Sequence, residues 1–224
     1  MTARVVTDPD AAVADIGSGA TVLIGGFGVA GQPVELIEAL VRNGAEALTV
    51  ASNNAGNGDE GLAALVGQKR VRRIVCSFPR QSDSWCFDER YRAGDIELDL
   101  VPQGNLAERI RAGGAGIGGF FTPVGYGTQL AEGKETRIID GVGHVLEEPI
   151  KADFALIKAD TADEAGNLTF RKTARNFGPI MATAAHHTIV QVREVVPIGA
   201  MDPEVVVTPG IHVSTIVPTE ATQR

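Results

Sequence analysis

Apolar and polar positions along the chain alternate between two kinds of run. Thr21–Ile24 is a compact block, apolar from Val22 onward, as expected of a buried strand. After a glycine-rich turn, Val34, Ile37, Leu40 and Val41 recur at helical spacing, with Pro33 in the first turn and Gly44 as the stop. The alternation then repeats. Strands are expected at 47–52, 73–77 and 96–101, and helices at 61–66, 84–93 and through Leu106, Ile110 and Arg111. Near the start, Thr7 and Asp10 resemble a capping box, which predicts a short helix carrying Ala11, Val13 and Ile16. Strands separated by helices predict right-handed βαβ units, hence an α/β fold with an open, mostly parallel sheet flanked by helices.

Beyond Gly113 the pattern changes. Residues 113–127 hold seven glycines and predict a long, backbone-exposing loop. Residues 136–147 read as an added β-hairpin turning at Asp140-Gly141. A strand at 152–159 precedes a turn at 163–167, from which 168–170 can pair back. Helix is expected at 179–186, strand at 188–192, and a β-rich tail punctuated by proline at 205–218. No repeat, low-complexity run or linker interrupts the chain, so 1–224 is treated as one domain.

Composition narrows the function classes. A chain of 224 residues with 44% hydrophobic content and 27 glycines suits an α/β protein rich in tight turns. A net charge of −8 argues against nucleic-acid binding, and the densest basic run, at 69–73, reads as a solvated turn. Cys76 and Cys86 form no C-x-x-C pair and share no ligand spacing with the four histidines, so no metal site and a reduced, cytoplasmic setting are expected. The start MTARVVTDPDAA lacks an apolar h-region, and no stretch is apolar enough to span a membrane.

The segment TVLIGGFGVAGQP contains a literal G-x-G-x-x-G between a strand and a helix. A dinucleotide site also requires an acid about 20 residues on. Here the second strand ends in Ser52-Asn53-Asn54. Glycines and backbone N–H groups still favour an anion or a developing oxyanion against the main chain. The alternative is that they only permit a tight strand–helix turn. Ligands of open parallel sheets bind beyond the carboxyl ends of the strands. The segments there are GGFGVAG, SNNAGNG, SFPRQSDS and PQGN.

In this order, GGFGVAGQP, SNNAGNG, CSFPRQSDS and VPQGNLAERIRAGGAGIGGFFTPVGYGT resemble the alpha-type (A) chains of the family I CoA-transferases, and ADFALIKA, GNLTFRKTARNFGPIMA and VVTPGIHV extend the likeness. Members acting on 3-oxoadipate are the most similar, with those acting on other 3-oxo acids close behind. The resemblance implies transfer of CoA from succinyl-CoA to a 3-oxo acid through a glutamyl-CoA thioester. It places the attacking glutamate on a separate B-type partner chain, in an assembly expected to be A2B2, and makes CoA a substrate with no resident cofactor. By the same resemblance Gly25, Gly26, Phe27, Gly28, Val29, Ala30 and Gly31 form a CoA-binding loop. Asn53 and Asn54 lie beside the substrate, and Gln103 lies near the reacting carboxylate. Each carries an alternative: an Asx-turn for the asparagines, a helix start for Gln103. Arg80 is a candidate for the distal carboxylate of 3-oxoadipate, because its fork binds carboxylates bidentately; the alternative is a surface or inter-subunit ion pair. The remaining alternatives are a dinucleotide-dependent oxidoreductase and a non-catalytic, ligand-sensing α/β module.

Overall fold

The structure, a computed structural model, describes residues 3–219. Its strands are β1 (Arg4–Val5), β2 (Thr21–Ile24), β3 (Leu48–Ala51), β4 (Val71–Cys76), β5 (Glu97–Leu100), β6 (Phe120–Thr122), β7 (Thr136–Ile139), β8 (Val142–Glu147), β9 (Ala152–Lys158), β10 (Thr161–Asp163), β11 (Leu168–Thr169), β12 (Ala185–Val192), β13 (Glu194–Val196) and β14 (Thr215–Pro218). The helices are α1 (Pro9–Val13), α2 (Val34–Asn43), α3 (Leu62–Gly67), α4 (Trp85–Arg92), α5 (Gln103–Ala115) and α6 (Gly178–Thr183).

Eight strands form one sheet in the order β1-β14-β12-β9-β2-β3-β4-β5, with every neighbouring pair parallel. The chain steps outward from β2 to β5, then returns to place β9 on the other flank of β2. Strand order therefore reverses at β2. Both sheet faces are covered. Val22, Ile24, Val50 and Ile74 pack beneath Val13, Leu36, Leu40 and Leu65 of α1–α3. Their neighbours in sequence, Leu23, Ala51 and Val75, point the other way, towards Leu106 and Ile110 of α5 and Met181 of α6. Burial on two faces explains the compact apolar strands. The edge strand β5 is charged instead: Asp99 accepts a hydrogen bond from Arg73 Nη2 at 2.9 Å. No helix among the described residues is long and apolar enough to cross a membrane.

Two three-stranded sheets complete the chain, β11-β10-β13 and β6-β8-β7. The hairpin of β7 and β8 turns at Asp140 and Gly141, whose φ values of +50° and +78° are those of a type I′ turn. Buried Glu147 fixes this sheet to α5: its Oε1 accepts from Lys134 Nζ at 2.9 Å and from Asn105 Nδ2 at 3.2 Å.

Several expectations from sequence change. The helix expected at 179–186 ends at Thr183, and Ala185 and His186 open β12; of the tail at 205–218 only Thr215–Pro218 is a strand, the rest being irregular chain and short 3-10 turns. The first helix is capped by Asp8, whose Oδ1 accepts from the Asp10 N–H at 2.9 Å, so the cap lies one residue later than Thr7. Residues 113–127 are not one long loop. Helix α5 continues to Ala115, and Phe120–Thr122 pairs with β8. The glycines there answer to packing: a Cβ on Gly113 would sit 2.0 Å from Ile150 O, and one on Gly114 would sit 2.2 Å from Thr183 Oγ1. Gly113→Ala is therefore expected to destabilise the fold by about 1–3 kcal/mol, the usual cost of overpacking, although alanine has the better helix propensity. Urea unfolding measures this; an unchanged or raised midpoint contradicts the packing argument.

Candidate functional site

The carboxyl ends of β2, β3 and β4 open onto the crevice where strand order reverses, the usual ligand position in open parallel sheets. After β2 the chain turns back on itself. Phe27 N–H donates to Ala30 O at 3.0 Å and Ala30 N–H donates to Phe27 O at 3.2 Å, with Gly28 at φ +60° between them. Gly25 N–H is already used by Leu156 O, at 2.9 Å. The N–H groups of Gly28 and Val29, at the tip, make no hydrogen bond among the described residues. Gly31 adopts φ +75°, and a Cβ there would fall 2.3 Å from Ala174 O. Only glycine satisfies both conditions. Asn176 Nδ2 donates to Ala30 O at 2.9 Å, which fastens the loop to the segment 172–176.

On one side of this loop lies a cavity of about 400 Å³, lined by Phe27, Gly28, Asn53, Ser77, Phe78, Gln81 and Gln103. Asn53 is 3% exposed and forms its floor. Its Oδ1 accepts from Gln103 Nε2 at 2.7 Å and from Ser77 Oγ at 3.0 Å. Its backbone carbonyl accepts from the N–H groups of Ser77 and Phe78, at 3.2 Å and 3.1 Å. The carboxamide is thereby held with its acceptor end satisfied. Its Nδ2 is the donor left without a partner among the described residues, and Gln103 keeps Oε1 as an acceptor. Gln103 opens α5, where the first-turn N–H groups add positive potential.

The structure brings Asn53, Gln103, Phe27 and Gly28 together and separates the other candidates from them. Asn54 Oδ1 accepts from Gly56 N–H at 2.9 Å, an Asx-turn, and Asn54 does not line the cavity. Arg80 is more than half exposed, and its Nε donates to Asp88 Oδ1 at 2.5 Å. It is thus engaged on α4, away from the cavity wall, as a surface ion pair. Ala30 lines a second cavity on the far side of the loop. Ser77, Phe78 and Gln81 belong to the site but were not singled out individually from sequence; their signal is their position in SFPRQSDS, directly beyond β4. Beside them Cys76 is fully buried, and burial pushes its thiol up to about 12, so it stays protonated and inert.

None of the residues lining the cavity carries an ionisable acid or base. Ser77 Oγ has no histidine, lysine or carboxylate beside it and is spent on Asn53. The arrangement can accept a planar carboxylate or thioester and donate to its oxygen, but it supplies no nucleophile or proton carrier of its own.

The family model described as coenzyme A transferase matches residues 6–219. The A subunit of the 3-oxoadipate CoA-transferase of Pseudomonas putida is 64% identical over 206 residues, covering 92% of this chain and 89% of that protein. The A subunit of a succinyl-CoA:3-ketoacid coenzyme A transferase of Xanthomonas campestris is 49% identical, covering 96% of this chain and 88% of that one. Among solved structures, an acyl-CoA transferase of E. coli O157:H7, in a thioester complex with CoA, superposes with a TM-score of 0.88 at 22% identity. It covers 97% of this chain, which spans only 50% of that protein's length. The fold, the neutral crevice beside a glycine loop and these likenesses agree, and the chain belongs to the coenzyme A transferase family.

Proposed function

We propose that the chain is the A component of a transferase that moves CoA from succinyl-CoA to 3-oxoadipate, with the attacking carboxylate supplied by a B-type partner chain. The observation that carries this reading is the absence of any ionisable side chain among the residues lining the Asn53 cavity. A family that exchanges thioesters covalently needs a nucleophile. Here it must enter from outside the chain. The single-chain acyl-CoA transferase is about twice as long as this chain, which supports a second polypeptide as its source. The exposed side chains of Phe27, Val29 and Phe78 around the crevice offer that partner an apolar rim. The naming of the relatives as A subunits supports a B-type partner, and the assembly proposed is A2B2. The preference for 3-oxoadipate rests on 64% identity to a transferase named for it, against 49% to one named for 3-ketoacids in general.

In this mechanism a glutamate of the B-type chain attacks the succinyl thioester, giving a mixed anhydride and CoA thiolate. The thiolate attacks the glutamyl carbonyl, releasing succinate and leaving a glutamyl-CoA thioester. 3-Oxoadipate then repeats both steps in reverse and leaves as its CoA ester. Each attack places negative charge on a carbonyl oxygen. Asn53 Nδ2 and the tip N–H of Gly28 donate to it, while Gln103 and Ser77 hold Asn53 in register. The loop at 25–31 lies against the CoA chain.

The isolated chain is expected to show no transfer, and activity is expected to return on adding the B-type chain; turnover by the chain alone overturns the division of labour. In the reconstituted enzyme, Asn53→Ala should lower kcat by about 10²–10³, the usual loss for one oxyanion donor, with little change in KM. Arg80→Met is expected to leave the KM ratio between 3-oxoadipate and acetoacetate unchanged, because Asp88 already engages Arg80. A selective rise for the dicarboxylate would return Arg80 to the substrate.

A further inference from the structure

The polar side chains on the wall of the Asn53 cavity are committed to one another, with one exception. Asn53 Oδ1 accepts from Gln103 Nε2 at 2.7 Å and from Ser77 Oγ at 3.0 Å, so these three hold each other. Gln81 stands apart. It is half-buried and lines the same cavity, and its carboxamide makes no hydrogen bond among the described residues. Both N–H donors of Nε2 and the acceptor Oε1 are therefore open to a ligand.

The main chain of Gln81, by contrast, is fixed. Its N–H donates to Ser84 Oγ at 2.6 Å, and Ser84, immediately before α4, is buried. Asp83 N–H donates to Asn57 Oδ1 at 2.9 Å, and Gly58 N–H donates to Asp83 O at 2.6 Å. The segment 81–84 is thus clamped to the loop that follows β3. A free head group on an anchored backbone leaves only side-chain torsions to be ordered when a ligand binds.

Position also separates Gln81 from the reacting end of the substrate. Asn53 and Ser77 stand just past β3 and β4, whereas Gln81 lies on the stretch that runs out from β4 to α4. Asn53 Nδ2 and the Gly28 N–H are given above to the carbonyl that reacts. Both acids of the proposed reaction carry a second carboxylate that does not react, and a ping-pong cycle takes them into the same cavity in turn. No cation lines that cavity, and the adjacent Arg80 is held on Asp88. A carboxylate there needs N–H donors, and Gln81 has them uncommitted.

We infer that Gln81 is the specificity-determining residue, its Nε2 donating to the distal carboxylate of 3-oxoadipate and of the succinyl group. The inference rests on the transferase reading above and deepens it. The spacing between the two carboxylates differs between these acids, and the flexible glutamine side chain can follow that difference from one fixed anchor. A neutral amide also suits a pocket that must release one dicarboxylate before it takes the next. An arginine fork would hold both more tightly, and equal tightening of ground and transition states does not raise kcat.

The test uses the reconstituted A–B enzyme, with acetoacetate as the acceptor that lacks a second carboxylate. In ping-pong turnover, kcat/KM for the acceptor reports only the half-reaction it enters, so the carboxylate of the donor does not intrude. Gln81→Leu should lower the ratio of kcat/KM for 3-oxoadipate over acetoacetate at least tenfold, mainly through KM for 3-oxoadipate. Gln81→Glu keeps the shape but replaces the donors with negative charge, and should lower the ratio further. Arg80→Met, next to it, should leave the ratio where it is. An unmoved ratio in Gln81→Leu overturns the assignment, as does a wild-type ratio in Gln81→Glu. Both variants retain the main-chain bond to Ser84 Oγ; if Gln81→Glu does not assemble, Gln81→Leu decides alone. If the wild-type pair transfers no CoA at all, the transferase reading fails. Calorimetric titration of adipate against hexanoate, acids of equal length that differ in the second carboxylate, then still decides Gln81. The wild-type complex should prefer adipate and Gln81→Leu should lose that preference. A preference kept by the variant, or absent from the wild type, overturns the inference.

Discussion

Reversal of strand order at β2 is the constraint from which the rest of the site follows. In an all-parallel sheet the loops leaving neighbouring strands normally turn to the same side and close over one another. At β2 the chain that leaves towards α2 and the chain that leaves β9 diverge, so the carboxyl edge opens there and nowhere else in the middle of the sheet. The loop after β2 must then cross the gap with its main chain close to the floor. Gly31 makes that possible, because any side chain there would collide with Ala174 O. One glycine contact thus sets how far the loop lies from the segment 172–176, and with it the size of the hollows on either side.

The two hollows differ in the source of their walls. The Asn53 cavity is assembled from the ends of β3 and β4 and the start of α5, elements that follow one another in sequence and present short neutral groups. The other is assembled from β9, β12 and their following segments, together with α2, and presents charged groups, Lys158, Arg171, Lys172 and Arg193 with Glu35 and Asp160. A buried strand most readily turns a polar group towards a ligand at its end, beyond the helices that cover its faces. Asn53 and Ser77 stand just past β3 and β4, and Gln191 and Lys158 stand at the ends of β12 and β9.

Much of this was legible in the residues. Apolar strands alternating with amphipathic helices gave the sheet, and the motifs beyond each strand marked the crevice. Three things were not legible, each for a physical reason. Glycines at 113 and 114 read as loop because the same residue serves a flexible turn and a tight helix contact; only the position of Ile150 O and Thr183, distant in sequence, separates the two. Asn53 and Asn54 are indistinguishable as letters, yet one faces the cavity and the other closes an Asx-turn on Gly56, which depends on backbone direction at the end of β3. Arg80 looked free for a carboxylate because Asp88, its partner, lies beyond a turn and on the next helix. The G-x-G-x-x-G match has a similar lesson: the glycines report close backbone approach, and the ligand is decided by what stands across from them.

That division of neutral and charged walls has a chemical logic in the proposed reaction. A carboxylate nucleophile brought within about 4 Å of a buried cation would be stabilised by roughly 4 kcal/mol at an effective dielectric of about 20. Much of that is lost when its charge moves onto the new bond, and each 1.4 kcal/mol costs about tenfold in rate. Carboxamides and backbone N–H groups can orient the same carboxylate and follow the charge to the thioester oxygen without pinning it in the ground state. The proposed reaction therefore gains from having the charged groups of the second cavity on the far side of the glycine loop from Asn53. The loop, held down by Gly31 and Asn176, is the partition that permits it.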